Sequence, residues 1–135
     1  MVLALLLRGL PAVASAQVAG PACASVAALI SGDEAEVHVT RDTVVQDPRG
    51  DTRWRGCRVA LDMPRADVAD SNAPDHRVRR GLAVLGWREL LNYAADGPNG
   101  TAFALRKEGV VCFIRASWGD RPTSTYTLSA SCAVP

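Results

Sequence analysis

Lysine is almost missing from this chain. Lys107 stands alone against 14 arginines, and only two histidines, His38 and His76, are present. Aromatic residues make up 5% of the sequence. No G-x-S-x-G elbow, S-x-x-K, H-E-x-x-H or phosphate-binding loop occurs, so the common hydrolase and nucleotide-binding motifs are missing. No C-x-x-C pair exists, so a thioredoxin-like redox motif is excluded as well. No stretch approaches the roughly 20 apolar residues that a membrane span requires. Arginine in place of lysine is the bias that codon usage in a GC-rich bacterial genome produces.

What is present is an even number of cysteines behind a leader-like segment. Residues 2 to 7 read Val-Leu-Ala-Leu-Leu-Leu, and Ala14-Ser15-Ala16 supplies the small residues that a signal peptidase needs. No basic residue precedes the apolar run and Arg8 cuts it short, a pattern expected if the true start lies upstream of Met1. Residues 1–16 are therefore expected to be a signal peptide and 17–135 a single domain, secreted or periplasmic. Cys23 follows Gly20-Pro21-Ala22 at a distance from the apolar run, which speaks against a lipoprotein. Loss of Arg8 with the leader would leave 14 basic residues against 14 acidic ones. Nucleic-acid binding, which depends on a cationic excess, is not expected.

Cys23, Cys57, Cys112 and Cys132 are separated by 34, 55 and 20 residues. Structural zinc sites bring their ligands in close pairs, so neither a metal nor any other cofactor is expected, and two disulfides are. An Ala-rich helix over 22–30 should end at Ser31-Gly32. Residues 36–41 and 57–63 alternate as half-buried strands joined through the Asp47-Pro48-Arg49-Gly50-Asp51 turn. Asp75 is placed to cap a second helix with Val78, Leu82 and Leu85 on one face, and Gly86-Trp87 forms its ending. Beyond Trp87, turns at 96–100, 107–109 and 119–122 predict an antiparallel meander. The fold class is α+β: a sheet of four to six antiparallel strands with one or two helices packed on it.

The last hairpin has a register that can be worked out. A turn centred on Pro122 sets Cys112 against Cys132, Ile114 against Ala130, Ala116 against Leu128 and Trp118 against Tyr126. Every member of that ladder is apolar or sulfur-bearing, as one buried sheet face requires. A one-residue slip would bring Thr127, Ser129 and Ser131 into it instead. Cys112–Cys132 is thus the predicted bridge, leaving Cys23–Cys57 to tie the first helix to its strand. A three-residue loop at 107–109 would set Phe103 against Phe113 and Leu105 against Val111, on the side away from the cysteines. Both faces of the central strands would then be apolar, one needing cover from another part of the chain or from a second copy of it.

Arg49, Arg53, Arg55 and Arg58 surround Trp54. Strand parity places Trp54 and Arg58 outward, where an indole among guanidiniums can stack on rings or hold carboxylates and phosphates. Arg53, Trp54, Arg55 and Arg58 are the candidate binding residues, and a solvated strand with one anchoring Trp is the simpler reading. His38 and His76, with Lys107 or an arginine, would be the acid–base pair of a nuclease-like secreted hydrolase, though each also reads as a surface residue. The turns at 96–100 and 119–124 could dock an inhibitor onto a secreted enzyme. The leading expectation is a non-catalytic module that binds a protein or small ligand in the cell envelope or outside the cell.

Overall fold

The computed structural model describes residues 12–32 and 35–135, with side chains from residue 15 onward. The apolar run at 2–7 and Arg8 lie outside the described residues. Helix α1 covers Ala12–Ile30, longer than the segment expected from 22. Its alanines favour a helix. Ala16, Ala19, Cys23, Val26 and Ile30 recur at three- and four-residue steps and are all buried. The small residues early in that stripe bring the helix axis close to the sheet, and Pro21 faces outward.

Seven antiparallel strands follow, in the order β1-β2-β7-β6-β5-β3, with β4 also pairing β5. They are β1 (Glu36–Gln46), β2 (Arg53–Pro64), β3 (Arg88–Glu89), β4 (Ala95–Gly97), β5 (Gly100–Lys107), β6 (Val110–Ser117) and β7 (Thr125–Ala133). β3 and β4 are two- and three-residue pieces on β5, beyond the strands that alternation reveals. Helix α2 (Pro74–Val84) is inserted between β2 and β3.

The β6–β7 ladder is the predicted one, with Cys112 opposite Cys132, Ile114 opposite Ala130 and Ala116 opposite Leu128. Cys112–Cys132 bridges directly opposed residues 4.0 Å apart at Cα, and Cys23–Cys57 ties α1 to β2. The β5–β6 register differs by one residue from the expected one. Phe103 faces Ile114 and Leu105 faces Cys112, because the loop is the two-residue turn Glu108-Gly109. Both its residues have positive φ, 51° and 82°, the backbone of a type I′ turn. The slip moves Phe103 and Leu105 to the cysteine side, where they join the main core.

That core lies between the sheet and both helices, and is filled by Val26, Ile30, Leu61, Leu82, Phe103 and Tyr126 among others. Asp75 does not cap α2. Pro74 occupies the first turn and Ala73 is the cap, so Asp75 turns inward. It is buried, where its carboxylate accepts a 2.6 Å hydrogen bond from the Tyr126 hydroxyl. The Asp75 backbone N–H donates to the same hydroxyl at 3.0 Å. Burial, reinforced by the neighbouring carboxylate, raises the Tyr126 pKa far above its ordinary value. The α2 ending is the expected one, with Trp87 N–H donating to Leu82 O at 3.0 Å. Arg77 of α2 donates to the Leu29 and Ile30 carbonyls, satisfying the end of α1.

With both α-helices on one side, the other face of the sheet carries no α-helix among the described residues. A small second cluster covers one end of it, made of Val45, Ala104, Val111, Phe113 and Ala133 with Trp54, Leu90 and Tyr93 against them. Val45 reaches this cluster through an irregularity in β1. Thr40 pairs Arg58 but Thr43 pairs Gly56, one extra residue in β1, and the alternation changes hand there.

Candidate functional site

Strand pairing dictates what the helix-free face presents. Arg58, Ser131, Phe113 and Ala104 form one row across β2, β7, β6 and β5. Ala60, Ser129, Arg115 and Ala102 form the next. The central strand of this region, β7, carries only serines here, and its low floor lies between taller side chains on β2 and β6. The result is an open cleft of about 440 Å³ whose lining includes Arg58, Tyr93, Phe113, Arg115, Ser129 and Ser131.

One wall comes from chain segments folded over the second cluster. Tyr93, in the short 3-10 turn Leu91–Tyr93, packs against Phe113 with ring centroids 5.4 Å apart. Its hydroxyl donates to Asp47 at 3.1 Å. Partial burial and then that carboxylate raise the Tyr93 pKa. Arg49 donates to Asn92 O at 2.5 Å and lies 5.8 Å above the Tyr93 ring, which ties the 47–50 turn to this wall. Asp47 therefore has two donors, the Tyr93 hydroxyl and the Arg49 backbone N–H at 2.9 Å.

The four candidate residues take different roles. Arg58 stands in the cleft, donating from Nε to Ser131 Oγ at 3.1 Å and from Nη2 to Val44 O at 3.2 Å. Trp54 lies on the same face but stacks on Phe113, centroids 6.2 Å apart and planes 10° from parallel, so it serves as an anchor of the second cluster. Arg55 points to the other side of β2 and pairs with Asp42 at 2.8 Å, and that contact raises its pKa. Arg53, at the start of β2, is exposed opposite Gln46. Arg115 is the cleft's second cation and is absent from the sequence cluster around Trp54. The ladder arithmetic holds the signal for it: residues opposite in parity to Cys112 and Cys132 are Phe113, Arg115, Ser129 and Ser131. Among the described residues, neither Arg58 nor Arg115 is within ion-pair distance of a carboxylate.

The two histidines are separated by the sheet. His38 pairs Ala60 and shares its helix-free side, near Glu36 at 3.7 Å. His76 is in α2 on the opposite side, in a small recess with Arg65, Asp70 and Trp118. The sulfurs of Cys23, Cys57 and Cys132 lie within 4.8 Å of one another, but all four cysteines are consumed by disulfides and offer no thiolate to a metal. The 96–100 turn is joined to the start of the 118–124 loop through Trp118, whose N–H donates to Asn99 O at 2.9 Å and whose Nε1 donates to Pro98 O at 3.2 Å. Among the described residues, no helix is long and apolar enough to cross a membrane. No protein-family model, curated protein or solved structure matches this chain.

Proposed function

We propose that this protein is a non-catalytic binding module, exported to the periplasm or the cell exterior, that takes its ligand on the helix-free face of the sheet. The observation that carries this reading is the cleft over β7, where Arg58 and Arg115 face solvent without carboxylate partners. Arg58 is held by Ser131 Oγ and the Val44 carbonyl and has no counter-charge, so part of the ordering cost of a recognition group is already met by the fold. Export is supported by the leader-like residues 2–16 and by two disulfides among buried cysteines. Catalysis by His38 and His76 is disfavoured by their positions on opposite sides of the sheet. The turns at 96–100 and 119–124, joined through Trp118, are the surface that an inhibitor variant of the same binding role would use.

The test is an amide-resonance titration of the disulfide-bonded protein with a panel of small anions, neutral saccharides and short peptides. Turnover of RNA and activated esters is measured in parallel. Shifts confined to Arg58, Phe113, Arg115, Ser129 and Ser131, with no turnover, are expected. Turnover abolished by His38→Ala with His76→Ala would replace this reading with the hydrolase.

A further inference from the structure

We infer that the cleft selects a small molecule bearing a carboxylate on a flat apolar body. This rests on the reading of the helix-free face as a binding surface and adds the ligand's chemistry to it. The argument begins with the two cations. Arg58 and Arg115 flank β7, two strands and one row apart, on the order of 12 Å between backbones. Two arginine side chains can close that span over one anionic group. Arg58 is held by Ser131 Oγ and the Val44 carbonyl, which use Nε and Nη2 and leave Nη1 donors directed elsewhere. Ser129 and Ser131 add hydroxyls to the floor at the same place. A carboxylate offers two planar acceptor oxygens to such donors.

The wall decides the rest of the ligand. Tyr93 and Phe113 border the cleft on one side, and Tyr93 is fixed through Asp47 and Arg49. A ligand whose anionic end sits over the serines places its remaining atoms against the half-buried Tyr93 ring, because Phe113 is buried and already packed by Trp54 and Tyr93. A volume of about 440 Å³ suits a small molecule and not a folded partner. Charge limits the anion as well. Asp47 stands at the rim, and Glu36 and Asp62 face each other two rows beyond Arg58 on the same side of the sheet. A polyanion would run into these carboxylates, whereas a monoanion need not.

The probe is 1-naphthoate, compared with neutral 1-naphthylmethanol and with acetate, read through backbone amides and the Arg58 Nε–H resonance. Naphthoate should shift Arg58, Arg115, Ser129 and Ser131, with affinity at least tenfold above both controls. The doubly substituted protein, Arg58→Gln with Arg115→Gln, should bind naphthoate no better than naphthylmethanol. Both side chains are exposed, and an unchanged thermal midpoint shows that the variant is folded. Equal binding of naphthoate and naphthylmethanol, or an undiminished preference in the variant, overturns the inference. If saccharides or peptides shift the cleft resonances and naphthoate does not, the carboxylate inference falls and the binding module stands. If nothing shifts them, both fall.

Discussion

Replacing Cys112 and Cys132 together by alanine removes a crosslink between directly opposed strands. The closed segment spans 20 residues, for which restriction of the unfolded chain is worth about 3 kcal/mol. Both cysteines are fully buried in the main core, and each lost sulfur leaves a void of roughly methyl size, about 1 kcal/mol apiece. The expected loss is therefore about 5 kcal/mol, a large share of the ~5–15 kcal/mol typical of a domain. Urea unfolding, followed by tryptophan fluorescence, to which Trp118 stacked on Tyr126 contributes, should show a midpoint lower by about 2.5 M. Serine in place of alanine should be worse, because a buried hydroxyl without a partner adds about 1–3 kcal/mol. Binding at the cleft should survive under native conditions, since Cys112 and Cys132 face the opposite side of the sheet. A midpoint lowered by less than 0.5 M, roughly 1 kcal/mol, would refute the reasoning.

Other perturbations probe the remaining parts of the fold. Gly56→Ala would drive a Cβ into the Cys132 carbonyl oxygen and place it 3.0 Å from Val45 Cγ2. Forcing β2 away from β7 should cost about 3 kcal/mol, visible as a lower thermal midpoint. Tyr126 is stabilised in its protonated form, so its contribution is present below its unfolded pKa of about 10 and is lost as pH rises towards the higher folded value. Stability should therefore fall above about pH 10, and Tyr126→Phe should flatten that alkaline arm while lowering neutral-pH stability by about 1–3 kcal/mol; an unchanged arm would rule out this linkage. Glu108→Asn suits a φ of 51° better than glutamate does and should stabilise the β5–β6 hairpin by roughly 0.5–1 kcal/mol, read by urea titration.

How much of this was legible in the sequence depends on where the signal sits. The β6–β7 ladder could be read residue by residue because two cysteines and strict alternation fix one register only. The neighbouring β5–β6 register could not, because glutamate is an uncommon residue at positive φ and Lys-Glu-Gly reads naturally as a three-residue loop. Asp75 resembles a cap by type, but the preceding Ala73-Pro74 starts the helix two residues earlier and the carboxylate goes to Tyr126, a partner 51 positions away. The extra residue in β1 reverses its alternation, which hides the role of Val45. Arginine clustering in sequence draws attention to 53–58, whereas the cleft is assembled across β2, β6 and β7. Arg58 belongs to both groupings. Arg115 belongs only to the second, and tertiary pairing is what brings it there.

The most direct measurement on the binding surface is phenylglyoxal labelling of the native, disulfide-bonded protein, mapped by peptide mass with and without 1-naphthoate. Arg58 and Arg115 should be labelled in the free protein and protected together by the ligand, while exposed Arg53 and Arg121 remain equally reactive in both samples. Labelling of Arg58 and Arg115 that is indifferent to naphthoate, or protection at Arg53 and Arg121 instead, would contradict the assignment of these two arginines as the carboxylate-binding pair of the helix-free face.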